Sequence, residues 1–161
     1  MAKKIEKTNA ARLLDRAKIA YELVPYEVDE NNLAATHVAE SLGEPIERVY
    51  KTLVLKGDRN GHFVCIVQGD KEVDLKAAAK VSGNKSAEMI PMKDLLPTTG
   101  YIRGGCTSIG MKKKFRTVIQ EDAMLYEKVV VSGGRIGLQL ILTPDDLLQA
   151  ADAEFADVIV S

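Results

Sequence analysis

The stretch KTLVLKGDRNGHFVCIVQG, residues 51–69, decides the expected fold. Its two apolar runs, KTLVLKG and HFVCIVQG, are rich in the β-branched and large apolar residues that favour strands. The polar segment DRNG lies between them, and a short turn that ends in glycine between two such runs predicts a β-hairpin. The centre of the chain is therefore expected to form an antiparallel pair of strands.

Helical and strand-like patterns alternate on both sides of this hairpin. Apolar residues at helical spacing predict helices, and apolar runs rich in valine and isoleucine predict strands. Helices are expected over residues 8–19, 36–42, 75–83, 91–96 and 144–150, with one further turn from Pro45, and strands over residues 20–28, 116–120, 128–134, 138–143 and 156–161. Because hairpins interrupt the alternation, the pattern predicts an α+β fold with a mixed, curled sheet.

The composition suits one compact domain, expected to span residues 1–161. With 22 Lys+Arg against 23 Asp+Glu, the formal net charge is −1, so any contact with nucleic acid must be local.

No apolar run approaches the roughly 18 residues of a membrane span. The two cysteines, Cys65 and Cys106, form no disulfide framework and have no metal-site spacing. We expect a cytoplasmic protein.

The segment YIRGGCTSIGMKKKF, residues 101–115, allows three interpretations. Cys106 after a glycine pair could be a nucleophile, but no local signature ties His37 or His62 to it as a base, so a packing role is favoured. The glycines could let a ligand approach backbone N–H groups, with the hydroxyls of Thr107 and Ser108 nearby, although the spacing is not that of a P-loop. The segment could also be a plain surface turn.

Charged residues near the glycines give further candidates. Residues 112–114 and Arg116 could contact phosphates or form a solvated face. The segment SGGRIG, residues 132–137, repeats the glycine pair, which suggests either a hairpin turn or a second wall of one pocket. Lys51 begins an apolar strand, so it either extends from the edge of the core or lines a cavity.

In order along the chain, the motifs TNAARLL, VPYEVD, VYKTLVL, VDLKAAAKVSG, YIRGGCTSIGMKKKF and VVVSGGRIGLQL closely resemble the bacterial YbaK/EbsC family of Cys-tRNA(Pro) deacylases. The resemblance covers residues 8–160 and extends to the editing domain of prolyl-tRNA synthetases. It implies a mixed sheet curled towards a barrel with helices around it. It also implies trans-editing, in which a wrong amino acid is removed from an aminoacyl-tRNA.

The resemblance also implies roles for individual residues. Lys51 is expected to hold the terminal nucleotide or its phosphate, and Gly104 and Gly105 are expected to hold the aminoacyl carbonyl in catalysis. The implied substrate-binding residues are Tyr26, Thr52, Thr107, Ser132, Gly133 and Gly134. No cofactor and no metal are expected.

The mechanism that the resemblance implies uses the thiol of the substrate's own cysteine, which attacks the ester and leaves a cyclic thiolactone. The expected substrate is Cys-tRNA(Pro), with Cys-tRNA(Cys) as an additional candidate, and prolyl-tRNA synthetase is a candidate partner. Two departures from the family pattern bear on the pocket: Ser108 replaces a proline, and Ala34 lies nearest to a missing phenylalanine. The alternatives are a deacylase of Ala-tRNA(Pro) or another small aminoacyl-tRNA that uses water, and a non-catalytic relative that binds tRNA or a nucleotide.

Overall fold

The computed structural model of the chain describes residues 7–29, 31 and 34–161. The helices in these ranges are α1 (Asn9–Arg16), α2 (Ala35–Leu42), α3 (Leu75–Val81), α4 (Met92–Thr99) and α5 (Pro144–Ala151), with short 3-10 helices at Ile46–Arg48 and Glu121–Leu125. The strands are β1 (Glu22–Pro25), β2 (Tyr50–Gly57), β3 (Gly61–Gln68), β4 (Ala87–Met89), β5 (Arg116–Gln120), β6 (Val129–Ser132), β7 (Leu138–Leu142) and β8 (Ala153–Ala156). No helix of the described residues is long and apolar enough to cross a membrane.

The central hairpin is confirmed. Strands β2 and β3 pair antiparallel from Tyr50 opposite Gln68 to Gly57 opposite Gly61, and Gly61 has the positive φ of 73° that a tight turn favours. Strand β3 is buried from Phe63 to Gln68, because a hydrophobic cluster packs on each of its faces while β2 and the parallel strand β5 pair with its two edges. The hairpin therefore supplies the middle of the molecule.

The strands form two sheets, and the hairpin belongs to the larger one. The larger has the order β4-β2-β3-β5-β8 and mixes parallel with antiparallel pairs, while the smaller has the order β1-β7-β6. A parallel bridge between Val49 and Val130 joins β6 to the start of β2. The mixed α+β class is confirmed. The sheet bends at this bridge but does not close into a barrel.

The outer edge of β2 is divided between two strands. Val130 of β6 bridges to Val49, directly before β2, and β4 pairs with β2 only from Leu55 to Gly57. The carbonyl of Val54 accepts a hydrogen bond from the amide of Ile90 at 3.2 Å, so the backbone groups of Val54 point to the outer edge of β2. In a strand, every second residue points its backbone N–H and C=O to the same edge. By that alternation the N–H and C=O of Thr52 face the gap between the two strands.

The last strand differs from the prediction. A strand was expected over residues 156–161, but β8 ends at Ala156, where it pairs with β5. Beyond it, Asp157 and the amide of Val158 bind the buried side chain of Gln120, at 2.9 and 2.7 Å. Residues 158–160 form only an isolated antiparallel bridge, between Ile159 and Val73, in which the amide of Asp74 donates to the carbonyl of Val158 and the amide of Val160 donates to the carbonyl of Glu72. Strand β4, which the sequence pattern did not predict, has only three residues.

The hairpin turn is fixed by a buried asparagine. The Oδ1 of Asn84 accepts hydrogen bonds from the amides of Arg59 and Asn60, at 2.9 and 2.7 Å, and its Nδ2 donates to Ser82 Oγ at 2.8 Å. A Cβ added to Gly57 would lie 2.1 Å from this side-chain amide. The turn and the end of α3 therefore depend on one another.

We expect Asn84→Ala to lower the free energy of unfolding by about 1–3 kcal/mol, because it leaves two turn amides without their acceptor. Urea denaturation followed by circular dichroism measures the change. Asn31→Ala, at an exposed position, is the matched control and should leave the midpoint unchanged. Equal midpoints for Asn84→Ala and the unmodified chain would contradict the role given to this side chain.

Candidate functional site

A cavity of about 440 Å³ opens at the gap in the outer edge of β2. The edge of β2 forms one wall, α2 and the β6–β7 pair form others, and the β4–α4 connection and the loop after Ile102 complete it. The lining residues are Ala34, Ala35, Val38, Val49, Tyr50, Lys51, Thr52, Leu53, Val54, Gly69, Met89, Ile90, Pro91, Met92, Leu95, Arg103, Gly104, Cys106, Ser132 and Gln139. The divergence of β6 and β4 thus creates the space for a ligand.

Lys51 supplies a half-buried cation in the wall of this cavity. Its Nζ donates a hydrogen bond to the carbonyl of Gly69 at 3.3 Å. Burial lowers the pKa of Lys51 below its usual range, while the carboxylates of Glu72 and Asp70 act in the opposite direction. One carbonyl contact leaves donor capacity on the ammonium for an anionic or carbonyl oxygen of a ligand.

The two glycine-pair turns pack against each other. Gly104 lines the cavity with a positive φ of 83°. At Gly105 an added Cβ would lie 3.0 Å from the Cα of Arg135 and 3.1 Å from the amide nitrogen of Ile136, so only glycine lets the two backbones approach this closely. Gly105 does not itself line the cavity; it holds the loop against the second turn.

The second turn contributes one side chain to the cavity. Ser132 lines it, and its Oγ accepts a hydrogen bond from the amide of Gly134 at 3.2 Å. Gly133 closes the β6–β7 hairpin through Leu138, and its carbonyl accepts from the hydroxyl of Thr8 at 2.5 Å. Gly133 and Gly134 therefore connect the hairpin to α1 and lie outside the cavity wall.

Of the other predicted binding residues, Thr52 lines the cavity, whereas Tyr26 and Thr107 lie outside its wall. Thr52 lines the cavity at the edge of β2. Tyr26 lies outside the wall, half-buried, and its amide donates to the carbonyl of Gly137 at 3.0 Å. Thr107 is also outside; it is 1% exposed, and its Oγ1 accepts from the amide of Ile109. The hydroxyl of Ser108 is enclosed without a hydrogen-bond partner among the described residues.

Cys106 lines the cavity as a protonated thiol. It is 8% exposed, and burial raises its pKa to about 11, against a smaller lowering effect of a hydrogen bond with Thr99. A nucleophilic cysteine needs a neighbouring base or a lowered pKa. Among the described lining residues there is no histidine and no carboxylate. The geometry agrees with a packing role for this sulfur.

Several lining features were absent from the sequence-based set, among them Ala35 and Val38 of α2, Gly69 and the following three. One is an apolar wall formed by residues 89–92 and Leu95. The others are Arg103, which is exposed at the cavity, and Gln139, a buried polar residue within β7. Arg103 directly precedes the glycine pair, and Gln139 interrupts the apolar run LQLIL, so each carried a weak signal in the sequence.

Comparisons with known proteins match the chain to one family. Residues 29–150 match the model of the aminoacyl-tRNA editing domain. The chain is 46% identical, over 98% of its length and 98% of the relative's, to "Putative Cys-tRNA(Pro)/Cys-tRNA(Cys) deacylase EbsC" of Enterococcus faecalis. It is 33% identical to a proline–tRNA ligase of Fervidobacterium nodosum over 51% of this chain and 14% of the ligase.

A solved structure shares the fold. It is described as a "putative trans-editing enzyme for prolyl tRNA synthetase" and superimposes with a TM-score of 0.82 at 22% identity, covering 97% of this chain and all of the other. At that identity the likeness concerns the fold alone. The family match and the full-length relative carry the assignment, and the chain belongs to the aminoacyl-tRNA editing domain family.

Proposed function

We propose that this protein is a trans-editing deacylase that clears Cys-tRNA(Pro), with Cys-tRNA(Cys) as an additional substrate. One observation carries the proposal. The described wall of the cavity presents two cations, Lys51 and Arg103, and a glycine-rich loop, but it has no histidine, no carboxylate and no activated thiol. Such a site can position an ester and stabilise charge, and it leaves the attacking group to the substrate.

The need for such an enzyme follows from the physics of small pockets. A synthetase pocket built for proline cannot strongly reject cysteine or alanine, because a small apolar difference is worth only about 1–3 kcal/mol. The full-length relative named for Cys-tRNA(Pro) and Cys-tRNA(Cys) supports cysteine as the amino acid.

In the proposed reaction the cysteinyl sulfur attacks the ester carbonyl carbon. The bond between that carbon and the ribose oxygen breaks, the thiol proton ends on the released ribose hydroxyl, and a cyclic thiolactone leaves; water then opens the thiolactone to cysteine. Gly104 offers backbone close to the reacting carbonyl, and Lys51 holds a phosphate or oxygen of the terminal nucleotide. The enzyme contributes proximity and charge.

The substrate is presented as an aminoacyl-tRNA, and recognition of the tRNA body requires more than this chain. The formal net charge of −1 gives little long-range attraction for a polyanion. A complex with prolyl-tRNA synthetase in the cytoplasm would supply tRNA identity by raising the local concentration of the mischarged product. Pull-down with that synthetase, with and without tRNA, tests this part of the proposal.

We expect Lys51→Met to lower kcat/KM for deacylation of Cys-tRNA(Pro) at least about tenfold, because the variant removes the half-buried cation from the cavity wall. Release of labelled cysteine from the tRNA measures the rate. Lys56→Met, at an exposed position on the same strand and outside the cavity, should retain the full rate. Equal rates for both variants would remove Lys51 from the site.

Thiol alkylation distinguishes two candidates for the attacking sulfur, the cysteine of the substrate and Cys106 of the protein. We expect alkylation of the substrate's cysteine to stop its release, since the attacking sulfur is blocked. Treatment of the protein with iodoacetamide at neutral pH should leave the rate intact, because the pKa of about 11 keeps Cys106 protonated. Continued release from the alkylated substrate, or clearance of Ala-tRNA(Pro), would favour the water-dependent alternative.

Cys106→Ser provides the complementary variant. We expect it to retain the deacylation rate within about threefold, since a thiol with a raised pKa contributes packing and no nucleophile. The rate is compared at equal folded fraction, checked by circular dichroism. Near-complete loss of activity in a folded Cys106→Ser variant would identify this sulfur as the nucleophile.

A further inference from the structure

Gln139 is a buried amide that the proposed reaction leaves without a task. It lies in the middle of β7, opposite Val24 of β1 on one side and Ser132 of β6 on the other, and it is 4% exposed. No hydrogen bond joins its carboxamide to the part of the chain that the structure describes. Buried polar side chains are usually satisfied, so this one calls for an explanation.

The carboxamide of Gln139 remains accessible from the cavity that it lines. Both of its polar atoms keep solvent contact, whereas the Oε1 of Gln68, another buried glutamine, is fully enclosed. Ser132 is its direct cross-strand partner and lines the same cavity. The pair thus presents one hydroxyl and one carboxamide side by side.

The described wall of this cavity has no anionic acceptor, because the carboxylates of Asp70 and Glu72 act on Lys51 without lining the cavity. The described lining residues include two cations, Lys51 and Arg103, and no carboxylate. The Oγ of Ser132 already accepts from the amide of Gly134. The carbonyl oxygen of Gln139 is the only side-chain amide acceptor in the described wall. Together with the hydroxyl oxygens and the backbone edge at Thr52, this oxygen is available to a ligand that brings N–H donors.

An aminoacyl ester brings such donors in its α-amino group, which carries up to three hydrogens. The phosphates, ribose oxygens and ester carbonyl need donors, and Lys51, Arg103 and the amides of the glycine loop provide them. The α-amino group, when protonated, is the only cationic donor of the ester and needs an acceptor in a wall that already carries two cations. A hydrogen bond from a charged donor is stronger than one between neutral groups, so a correctly placed amide oxygen discriminates well.

We infer that Oε1 of Gln139 accepts a hydrogen bond from the α-amino group of the aminoacyl ester and so orients the amino acid in the cavity. The inference rests on the proposed function and adds a specificity-determining residue to it. It makes the site selective for acyl groups with a free amine over acyl groups that lack one.

Binding of two stable analogues tests the inference. The first is adenosine with cysteine in amide linkage at the 3′ position; the second replaces cysteine with 3-mercaptopropionate, which lacks only the amine. Isothermal titration should show at least about tenfold tighter binding of the amine-bearing analogue to the unmodified protein. Gln139→Met, which is nearly isosteric, should remove that preference by weakening the first analogue alone.

Two further variants control for folding and for general effects. Gln139→Glu keeps an acceptor and should keep the preference for the amine. Gln68→Met, at a buried glutamine outside the cavity, should keep it as well. An unmodified protein that binds both analogues equally, or binds neither, overturns the inference, and so does a preference that survives in Gln139→Met or disappears in Gln139→Glu.

The binding readout is independent of the chemistry. Failure of the unmodified protein to release cysteine from Cys-tRNA(Pro) contradicts the proposed function, whatever the analogues show. Loss of amine discrimination in a protein that does release cysteine contradicts only the role of Gln139.

Discussion

The divergence of two strands from one sheet edge is the constraint on which the site depends. Strand β6 bridges to Val49 directly before β2, and β4 pairs with β2 from Leu55, so residues 51–53 form no strand pairing on this edge. A sheet edge normally invites further pairing, and here it is covered by α2, by the β4–α4 connection and by the glycine loop. The space enclosed between them is the cavity, with Thr52 at its edge.

The chemistry of this cavity follows from which charges surround it. Two cations and no carboxylate line its described wall, which suits the phosphates and oxygens of a nucleotide ester. The buried thiol of Cys106 is held protonated by its surroundings. A site of this kind works by placing reactive groups of its ligand near one another, and the low polarity of the surrounding apolar wall strengthens each charge that remains.

Much of the fold was predictable because it is encoded locally. Apolar runs around DRNG specify the hairpin, and capping residues such as Thr8 and Asp74 mark helix starts. The cavity wall was less accessible to sequence reasoning, since it depends on contacts between segments far apart in the chain. Lys51, Thr52, Gly104 and Ser132 line the cavity, whereas Gln139 was concealed within an apolar strand pattern. The final strand was misplaced because Gln120 binds the amide of Val158 and the following residues pair with residues 72–74 only through an isolated bridge, and no periodicity reveals either contact.

The central claim is that the protein supplies no nucleophile, and the identity of the first released product tests it most directly. Cys-tRNA(Pro) is mixed with the protein, quenched within the first turnovers and examined by mass spectrometry. The account predicts a cysteine thiolactone, one water lighter than cysteine, that appears before free cysteine. Free cysteine as the first product, or a cysteinyl group attached to the protein at Cys106, would contradict it.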